Sequence, residues 1–432
     1  MRILVLMNMY PPHSDGGYPL LCLETVEELK ARGHEVLVLT STMGLNGRRR
    51  IEKDVWRVFE YCPDNKRNEP WSFRLIDLLR WYVRERREQR YLDKAIASFE
   101  PDAAFVWATK GMSYALAIRL MAQEFPLFAY VCGYWLIDHN KRARKRRQYQ
   151  FWAWGGSARG VRGGVKRILK ALLAKGLGLT VEFEPLTFDG VAFNNPEMIA
   201  GLESPAWKRP PVQIYDSTSV DDFAGISRSG EERPKRFLFV GRFHPSKDPL
   251  ILVKALELLQ STSAGHDAEL TLVGWPHDKS YVDQLEDAIR SLPNPDRVRF
   301  REPVAFGEMP ALFADHDVLV VPSQADPLPR IAAEAMAAAM PVIVSDRCGI
   351  SRLLKDRQDA LIFPTGDEQQ LAEAMKELME NLPLVRDLSE KGRCLAVDYF
   401  STQRMVNEIE RFLVDGTRSE ERAGHPSFES AA

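Results

Sequence analysis

The chain contains 432 residues, of which 45% are hydrophobic and 27% are charged, and its formal net charge is −2. This length predicts two or three domains with sizeable cores, and the composition is ordinary for a globular protein. No run approaches the roughly 18 uncharged apolar residues of a membrane-spanning helix, and the chain opens on a strand without a signal-peptide pattern. The five cysteines are scattered without zinc or disulfide spacing, so we expect a cytoplasmic protein.

Residues 2–40 predict a strand, a glycine loop, an amphipathic helix and a second strand. Cys22, Val26 and Leu29 form an apolar face on the helix, as packing against a core requires. In the loop before the helix, Gly16 and Gly17 let the backbone approach a ligand that a Cβ would hold off. We therefore predict a substrate-binding loop at these two glycines.

Residues 139–181 have the most unusual composition in the chain, with twelve Lys or Arg and no Asp or Glu. One helical stripe of this segment is apolar and consists of Val165, Ile168, Leu169, Leu172 and Leu173. The pattern is typical of a surface helix on anionic lipid. Two alternatives stay open: the stripe packs on its own domain with solvated cations, or the cations bind an acidic acceptor. No nucleic-acid-binding module accompanies the segment, so we expect no nucleic-acid partner.

The second half of the chain alternates strands with helices. Before it, residues 227–235 are charged and turn-forming without apolar periodicity, which predicts an interdomain linker. The strands are predicted at 237–241, 269–274, 297–301, 318–321, 341–345 and 360–363. This alternation predicts a doubly wound parallel sheet.

Two positively charged side chains follow the first of these strands. The strand ends at Gly241, and Arg242 and Lys247 lie in the loop before the next helix. The guanidinium group offers a fork of donors for phosphate oxygens, and the lysine offers a mobile point charge. The loop therefore predicts a diphosphate site.

Residues 318–346 predict a strand, a proline-containing loop, an alanine-rich helix and another strand. Asp326 lies in the loop and Glu334 lies in the helix, whose first residue we expect to be Pro329. The helix N-terminus then opens at the carboxyl end of a buried strand, where backbone N–H groups favour phosphate. From these residues alone, Asp326 as a helix cap and Glu334 as a solvated side chain remain the simpler interpretation.

In this order and spacing, the motifs resemble the retaining glycosyltransferases of family 4, the glycosyl transferases group 1. The motifs are PP…GG with RGHEV, VGR…K at 240–247, TLVG at 271–274, and PSQADPLPRIAAEAM followed by PVIVS. The resemblance implies the GT-B fold, an α/β fold of two Rossmann-like doubly wound domains that face a central cleft.

The resemblance also implies a division of the chain. Residues 1–226 would form the acceptor-side domain and residues 236–398 the nucleotide-sugar-binding domain, with the linker 227–235 between them. A helix at 399–415 would return to the first domain, and residues 416–432 would be a disordered tail.

The implied reaction moves a sugar from a UDP- or GDP-sugar to an acceptor hydroxyl with retention of configuration, without a metal ion or cofactor. By resemblance, Arg242 and Lys247 stabilise the leaving diphosphate and Asp326 binds hydroxyls of the donor sugar, and these three are the catalytic residues. Glu334 would bind the ribose. The other donor-binding residues would be Gly241, Gly274, Pro303, Val304, Arg330 and Ile331. The loop that admits donor and acceptor would comprise Gly16, Gly17 and Cys132.

Several positions depart from the family pattern. Asp326 is one methylene shorter than the usual glutamate, and Pro329 and Ala339 replace glycines. Cys132 stands where a histidine is common, and an alternative alignment places Asp138 or His139 there.

The acceptor expected from the basic segment is lipid-linked or membrane-presented, with the protein peripheral on the inner face of the membrane. Two other classes of function stay open. One is a nucleotide-sugar 2-epimerase on the same fold, and the other is a catalytically decayed, membrane-binding scaffold.

Overall fold

The computed structural model describes residues 1–13, 16–61, 75–137, 184–200, 207–226, 232–276 and 278–423, together with Ile168, Leu172 and Thr180. At 75–79, 81 and 418–423 the backbone alone is described. The chain forms two units, one of residues 1–214 with 406–432 and the other of residues 215–405.

The first unit is built around one sheet. Its strands are β1 (Arg2–Met7), β2 (Glu35–Ser41), β3 (Arg50–Ile51), β4 (Val55–Phe59), β5 (Ala103–Ala108), β6 (Leu127–Val131), β7 (Gly190–Phe193) and β8 (Val212–Gln213). Its described helices are α1 (Gly17–Ala31), α2 (Leu75–Phe99), α3 (Ala115–Met121) and α4 (Glu197–Ala200). The strand order is β3-β4-β2-β1-β5-β6-β7-β8, and neighbours are parallel except β3 and β4. Strands β1, β5 and β6 are buried runs of apolar residues, as central strands of a parallel sheet require.

The second unit contains a six-stranded sheet. Its strands are β9 (Arg236–Val240), β10 (Glu269–Val273), β11 (Val298–Arg301), β12 (Val318–Val321), β13 (Val342–Ser345) and β14 (Leu361–Phe363). Its helices are α5 (Val220–Phe223), α6 (Pro249–Gln260), α7 (Lys279–Arg290), α8 (Met309–Ala314), α9 (Arg330–Ala337), α10 (Glu368–Glu380) and α11 (Leu382–Phe400). The order β11-β10-β9-β12-β13-β14 is parallel throughout. This is the doubly wound order of a Rossmann-like sheet.

Helix α9 owes its position to its small side chains. Ala332, Ala333, Ala335 and Met336 are all nearly inaccessible to solvent, and the helix packs on β12, β13 and α11. Because alanine side chains are short, the helix axis can approach the sheet closely, and larger residues here would overpack the core. The helix therefore begins at the carboxyl edge of β12.

Two predicted boundaries are corrected by the structure. Residues 215–226 belong to the second unit, because Val220 and Phe223 join its apolar core and the Thr218 amide donates to the Phe400 carbonyl at 2.7 Å. The last helix, α12 (Thr402–Ala423), extends past the predicted end at 415.

Helix α9 also begins one residue later than predicted. Pro329 precedes the first helical residue, with ψ at 103°, and its carbonyl accepts from the Ala332 amide at 3.0 Å. A residue with extended ψ whose carbonyl accepts the first bond of a helix is the N-cap.

The basic segment 139–181 lies outside the described residues, apart from Ile168, Leu172 and Thr180. Within the described part of the chain, no helix has the length and apolar character needed to span a membrane.

Candidate active site

The carboxyl ends of β9 and β12 mark the point in the second sheet where the strand order reverses. Open α/β sheets bind ligands at such a point, because the loops leaving the two strands diverge and leave a crevice. The loop after β9 carries Lys247 and the loop after β12 carries Asp326. The Lys247 ammonium group and the Asp326 carboxylate form an ion pair. Two predicted catalytic residues thus meet at the expected place.

The Lys247 loop is held by its own polar groups. The amides of Lys247 and Asp248 both donate to the His244 carbonyl, at 2.9 and 3.1 Å. Asp248 has a left-handed backbone with φ at 49°, and its carboxylate accepts from Tyr281 Oη at 3.1 Å and from Gln324 Nε2 at 2.9 Å. These bonds fix the lysine backbone before any ligand binds.

Hydrogen bonds to the end of β13 and the segment after it hold the backbone of Asp326 in place. The Gly349 amide donates to the Asp326 carbonyl at 2.7 Å, and Ser345 Oγ donates to the Ser323 carbonyl at 2.5 Å. Burial raises the pKa of the neighbouring Cys348 thiol to about 11, and the Asp326 charge adds to this rise. The thiol therefore stays protonated at neutral pH and adds no charge beside Asp326.

Glu334 is buried, with 6% of its surface exposed. Its Oε1 accepts from Arg330 Nε at 2.9 Å and from Thr218 Oγ1 at 3.3 Å. The Arg330 guanidinium also lies 5.3 Å from the centre of the Phe306 ring. Glu334 is therefore not a solvated helix residue, and Asp326 is not the cap of α9, which is Pro329.

Gly241 and Gly274 directly follow the neighbouring strands β9 and β10. Their amides are used within the sheet: Gly241 donates to the Val273 carbonyl at 2.9 Å and Gly274 to the Arg301 carbonyl at 3.2 Å. A Cβ on Gly274 would lie 1.7 Å from the Gly241 carbonyl oxygen. The glycine is therefore needed for the close approach of the two strand ends.

The remaining donor-side residues lie in two loops and at the start of α9. Arg242 is exposed at the start of the Lys247 loop, and Pro303 and Val304 are half-buried after β11. The amides of Arg330 and Ile331 open α9, where a helix leaves N–H groups without intrahelical partners. Among the described residues, no group of three His, Cys, Asp or Glu side chains has the arrangement of a metal site.

The glycine loop of the first unit lies at the carboxyl edge of its own sheet. Gly16 has φ at 81°, a left-handed conformation that favours glycine, and Gly17 begins α1. The Tyr18 hydroxyl lies 2.5 Å from the Trp107 carbonyl oxygen and 2.9 Å from the Tyr130 carbonyl oxygen. This contact brings the glycines to the end of β6, where Cys132 is half-buried. Asp138 and His139 lie outside the described residues.

Arg57 holds the start of the same loop. Its buried guanidinium donates to the carbonyls of Tyr10 and Pro11, at 2.8 and 2.5 Å. Sequence patterns did not identify Arg57, Tyr18 or Thr218 as site residues. A tyrosine in the first helical turn after a glycine pair was the one available signal, and the partners of all three are distant in sequence.

Residues 226–394 match the family model described as glycosyl transferases group 1. A D-inositol 3-phosphate glycosyltransferase of Paenarthrobacter aurescens strain TC1 is 30% identical over 179 residues, which is 40% of this chain and 42% of that relative. The chain therefore spans about two-fifths of the length of this curated relative.

Two solved structures resemble nearly the whole chain. A sucrose-phosphate synthase from Thermosynechococcus elongatus aligns with a TM-score of 0.67 and 19% identity, covering 98% of this chain and 99% of that one. Anabaena HepE in complex with UDP and glucose aligns with a TM-score of 0.64 and 18% identity, covering 96% and 99%. The chain has the GT-B fold.

The predicted fold class is thus confirmed. Within this GT-B fold, Arg242, Lys247, Asp326 and Glu334 all lie in the stretch that the group 1 family model matches. The family match thus lies within the second unit, and the resemblance to solved structures over nearly the whole chain is one of fold.

Proposed function

We propose that the protein transfers a sugar from a nucleotide-diphosphate sugar to an acceptor hydroxyl, with retention of anomeric configuration as the family 4 resemblance implies. The donor is a UDP- or GDP-sugar. The observation that carries the proposal is the Lys247–Asp326 ion pair at the reversal point of the second sheet, within the stretch of the group 1 match.

The chemistry follows from these charges. Loss of the nucleotide diphosphate leaves negative charge on the phosphates while the sugar becomes oxocarbenium-like. A preorganised cation lowers the activation barrier for this loss, because the cation need not reorganise during the reaction. Lys247 is the cation, Asp326 orients it and binds donor-sugar hydroxyls, and Arg242 adds a second positive charge from the same loop. We assign phosphate neutralisation to these side chains rather than to a metal ion.

Glu334 and the start of α9 form the nucleotide side of the site. The carboxylate is held by Arg330 and Thr218, so it can accept ribose hydroxyls without a large rearrangement. The backbone N–H groups of Arg330 and Ile331 lie at the N-terminus of the helix, where negative charge is favoured.

The acceptor we propose is lipid-linked or membrane-presented, and the protein is cytoplasmic and peripheral on the inner face of the membrane. Two apolar side chains of the basic segment support this proposal. Ile168 and Leu172 are 64% and 60% exposed, and their spacing of four places both on one helix face.

The donor site is tested by thermal unfolding with UDP, GDP, ADP and TDP. A nucleotide at about 100 times its dissociation constant should stabilise the protein by about 2.7 kcal/mol. We expect UDP or GDP to do so, and EDTA to leave the shift unchanged. Arg242→Ala should weaken binding roughly tenfold or more, because it removes charged hydrogen bonds to phosphate.

Arg290→Ala is the matched control, since Arg290 is an exposed arginine on α7 of the same unit. The rise in melting temperature that a nucleotide causes in this variant should equal the rise in the unmodified protein. If no nucleotide diphosphate raises the melting temperature, or if both substitutions act equally, the assigned donor site is wrong.

A further inference from the structure

A hollow of about 460 Å³ lies on the first unit, in the loop between β2 and β3. Its lining consists of Gly44, Leu45, Asn46, Arg48, Arg49 and Arg50. Gly44, Asn46 and Gly47 have positive φ values of 74°, 50° and 76°. These left-handed residues curl the loop, so that three consecutive arginines border one depression.

The hollow adjoins the glycine loop. A Cβ on Gly44 would lie 2.5 Å from His13 Nδ1, so the imidazole packs directly on this residue. At the end of β2, Ser41 Oγ donates to the Asn8 carbonyl at 2.5 Å, and the Thr42 amide donates to the Phe59 carbonyl at 2.7 Å. The arginine loop is thereby tied to the carboxyl end of β1, on the edge of the sheet where Gly16 and Gly17 lie.

The three arginines are not equivalent. Arg49 is positioned by its Nε, which donates to the Val58 carbonyl at 3.0 Å, and by the Tyr91 ring at 5.5 Å. Arg50 Nε lies 2.7 Å from a Glu52 carboxylate oxygen. Arg48 is exposed, and within the described part of the chain neither it nor Arg49 is paired with a carboxylate.

Nearby acidic side chains of the described residues offset only part of this charge. Asp54 pairs with Lys30 at 3.3 Å, and Glu60 pairs with Arg84 at 2.6 Å. Glu52 is engaged by Arg50. The loop therefore keeps an excess of positive charge beside the glycine loop.

We propose that this hollow binds a phosphate group carried by the acceptor. Guanidinium forks match phosphate oxygens in pairs, and Arg49 is already oriented. The volume exceeds that of one phosphate and leaves space for the group to which the phosphate is attached. The assignment to the acceptor rests on the proposed transferase function, whereas phosphate binding itself does not.

The test uses the full chain with the donor phosphate site disabled by Arg242→Ala and Lys247→Ala. Calorimetric titration compares glucose 6-phosphate with glucose at low salt. We expect the phosphate ester to bind and glucose not to bind. Adding Arg48→Gln and Arg50→Gln should weaken binding at least tenfold, because each removes a charged hydrogen bond. Arg49 is kept because it supports the loop.

The matched control is Arg90→Gln, which removes an exposed charge from α2 of the same unit and should leave the affinity unchanged. A second arm measures sedimentation with phosphatidic acid vesicles, which distinguishes a lipid phosphate from a soluble one. Vesicle binding that is lost in the Arg48→Gln, Arg50→Gln protein also supports the site and assigns the phosphate to a lipid.

The proposal is overturned if neither probe binds, or if Arg90→Gln weakens binding as much as the paired substitution. It is also overturned if vesicles bind regardless of Arg48 and Arg50 while glucose 6-phosphate does not bind. Because the donor phosphate site is disabled throughout, these outcomes are independent of the nucleotide experiment.

Discussion

Lys247 and Asp326 are 79 positions apart in sequence and are brought together by the sheet order. The lysine side chain is 24% exposed and the aspartate side chain 10% exposed. Partial burial strengthens their attraction relative to a surface pair, because less water screens the charges. The carboxylate therefore holds the ammonium group at the crevice, and a diphosphate bound as proposed would meet a cation that is already in place.

A single glycine controls the junction of β9 and β10. Gly274→Ala should lower the melting temperature of the second unit, because the new Cβ would collide with the Gly241 carbonyl oxygen, 1.7 Å away. Overpacking of this kind costs about 1–3 kcal/mol. For a unit of this size, that corresponds to a loss of roughly 2–12 °C, measured by scanning calorimetry.

Gly307→Ala provides the control for this substitution. Among the described residues, no atom beyond its chain neighbours lies within 4 Å of a Cβ built on Gly307. The melting temperature of Gly307→Ala should therefore stay within about 1–2 °C of that of the unmodified protein. Equal effects of the two substitutions would contradict a steric role for Gly274.

At the scale of elements, Asp317 joins the first residues of β9 and β12, at the edge of the sheet opposite the candidate site. Its carboxylate accepts from the amides of Lys235 and Arg236, at 3.0 and 2.9 Å, and from Arg236 Nη2 at 2.6 Å. Burial alone would raise the pKa of Asp317, but the hydrogen bonds from Arg236 and the two amides outweigh it and hold the pKa below its usual value. The two strands that carry the Lys247 and Asp326 loops are thus aligned by one carboxylate.

Asp317→Asn should therefore destabilise the second unit in a pH-dependent way. A pKa lowered by folding contributes stability above the unfolded pKa of about 4 and loses it as the pH falls through the folded pKa. We expect the substitution to cost about 2 kcal/mol at pH 7, roughly 4–8 °C in melting temperature, and less at pH 3.

Asp283→Asn is the comparison for this experiment, because Asp283 is exposed on α7. It should leave the melting temperature unchanged at both pH values. A deficit in Asp317→Asn that is as large at pH 3 as at pH 7 would show that the ionised carboxylate is not what aligns the strands.

At the scale of the molecule, the proposed membrane association predicts that the protein sediments with phosphatidylglycerol vesicles at low salt. Ile168→Ser with Leu172→Ser should weaken sedimentation at least tenfold, because each buried apolar side chain contributes about 1.5–3 kcal/mol. Val83→Ser is the matched control, since Val83 is 69% exposed on α2 of the first unit. Protein that stays in the supernatant would instead favour a soluble acceptor.

The sequence by itself determined most of the second unit. Its six predicted strands match the observed strands to within one residue at each end, because apolar runs separated by loop residues are a local signal. The same signal located Lys247, Asp326 and Glu334 at strand ends or in the following helix. The first unit was less predictable, since its loops carry polar residues without periodicity.

The tertiary structure alone decided the partners of these residues. Glu334 is buried against Thr218, the Tyr18 hydroxyl reaches the ends of β5 and β6, and Arg57 holds the glycine loop. Each contact joins segments that lie far apart in the chain, and sheet order sets which strand ends become neighbours. Local periodicity therefore determines the elements and the residue types at their ends, whereas the crossovers between strands determine which side chains meet.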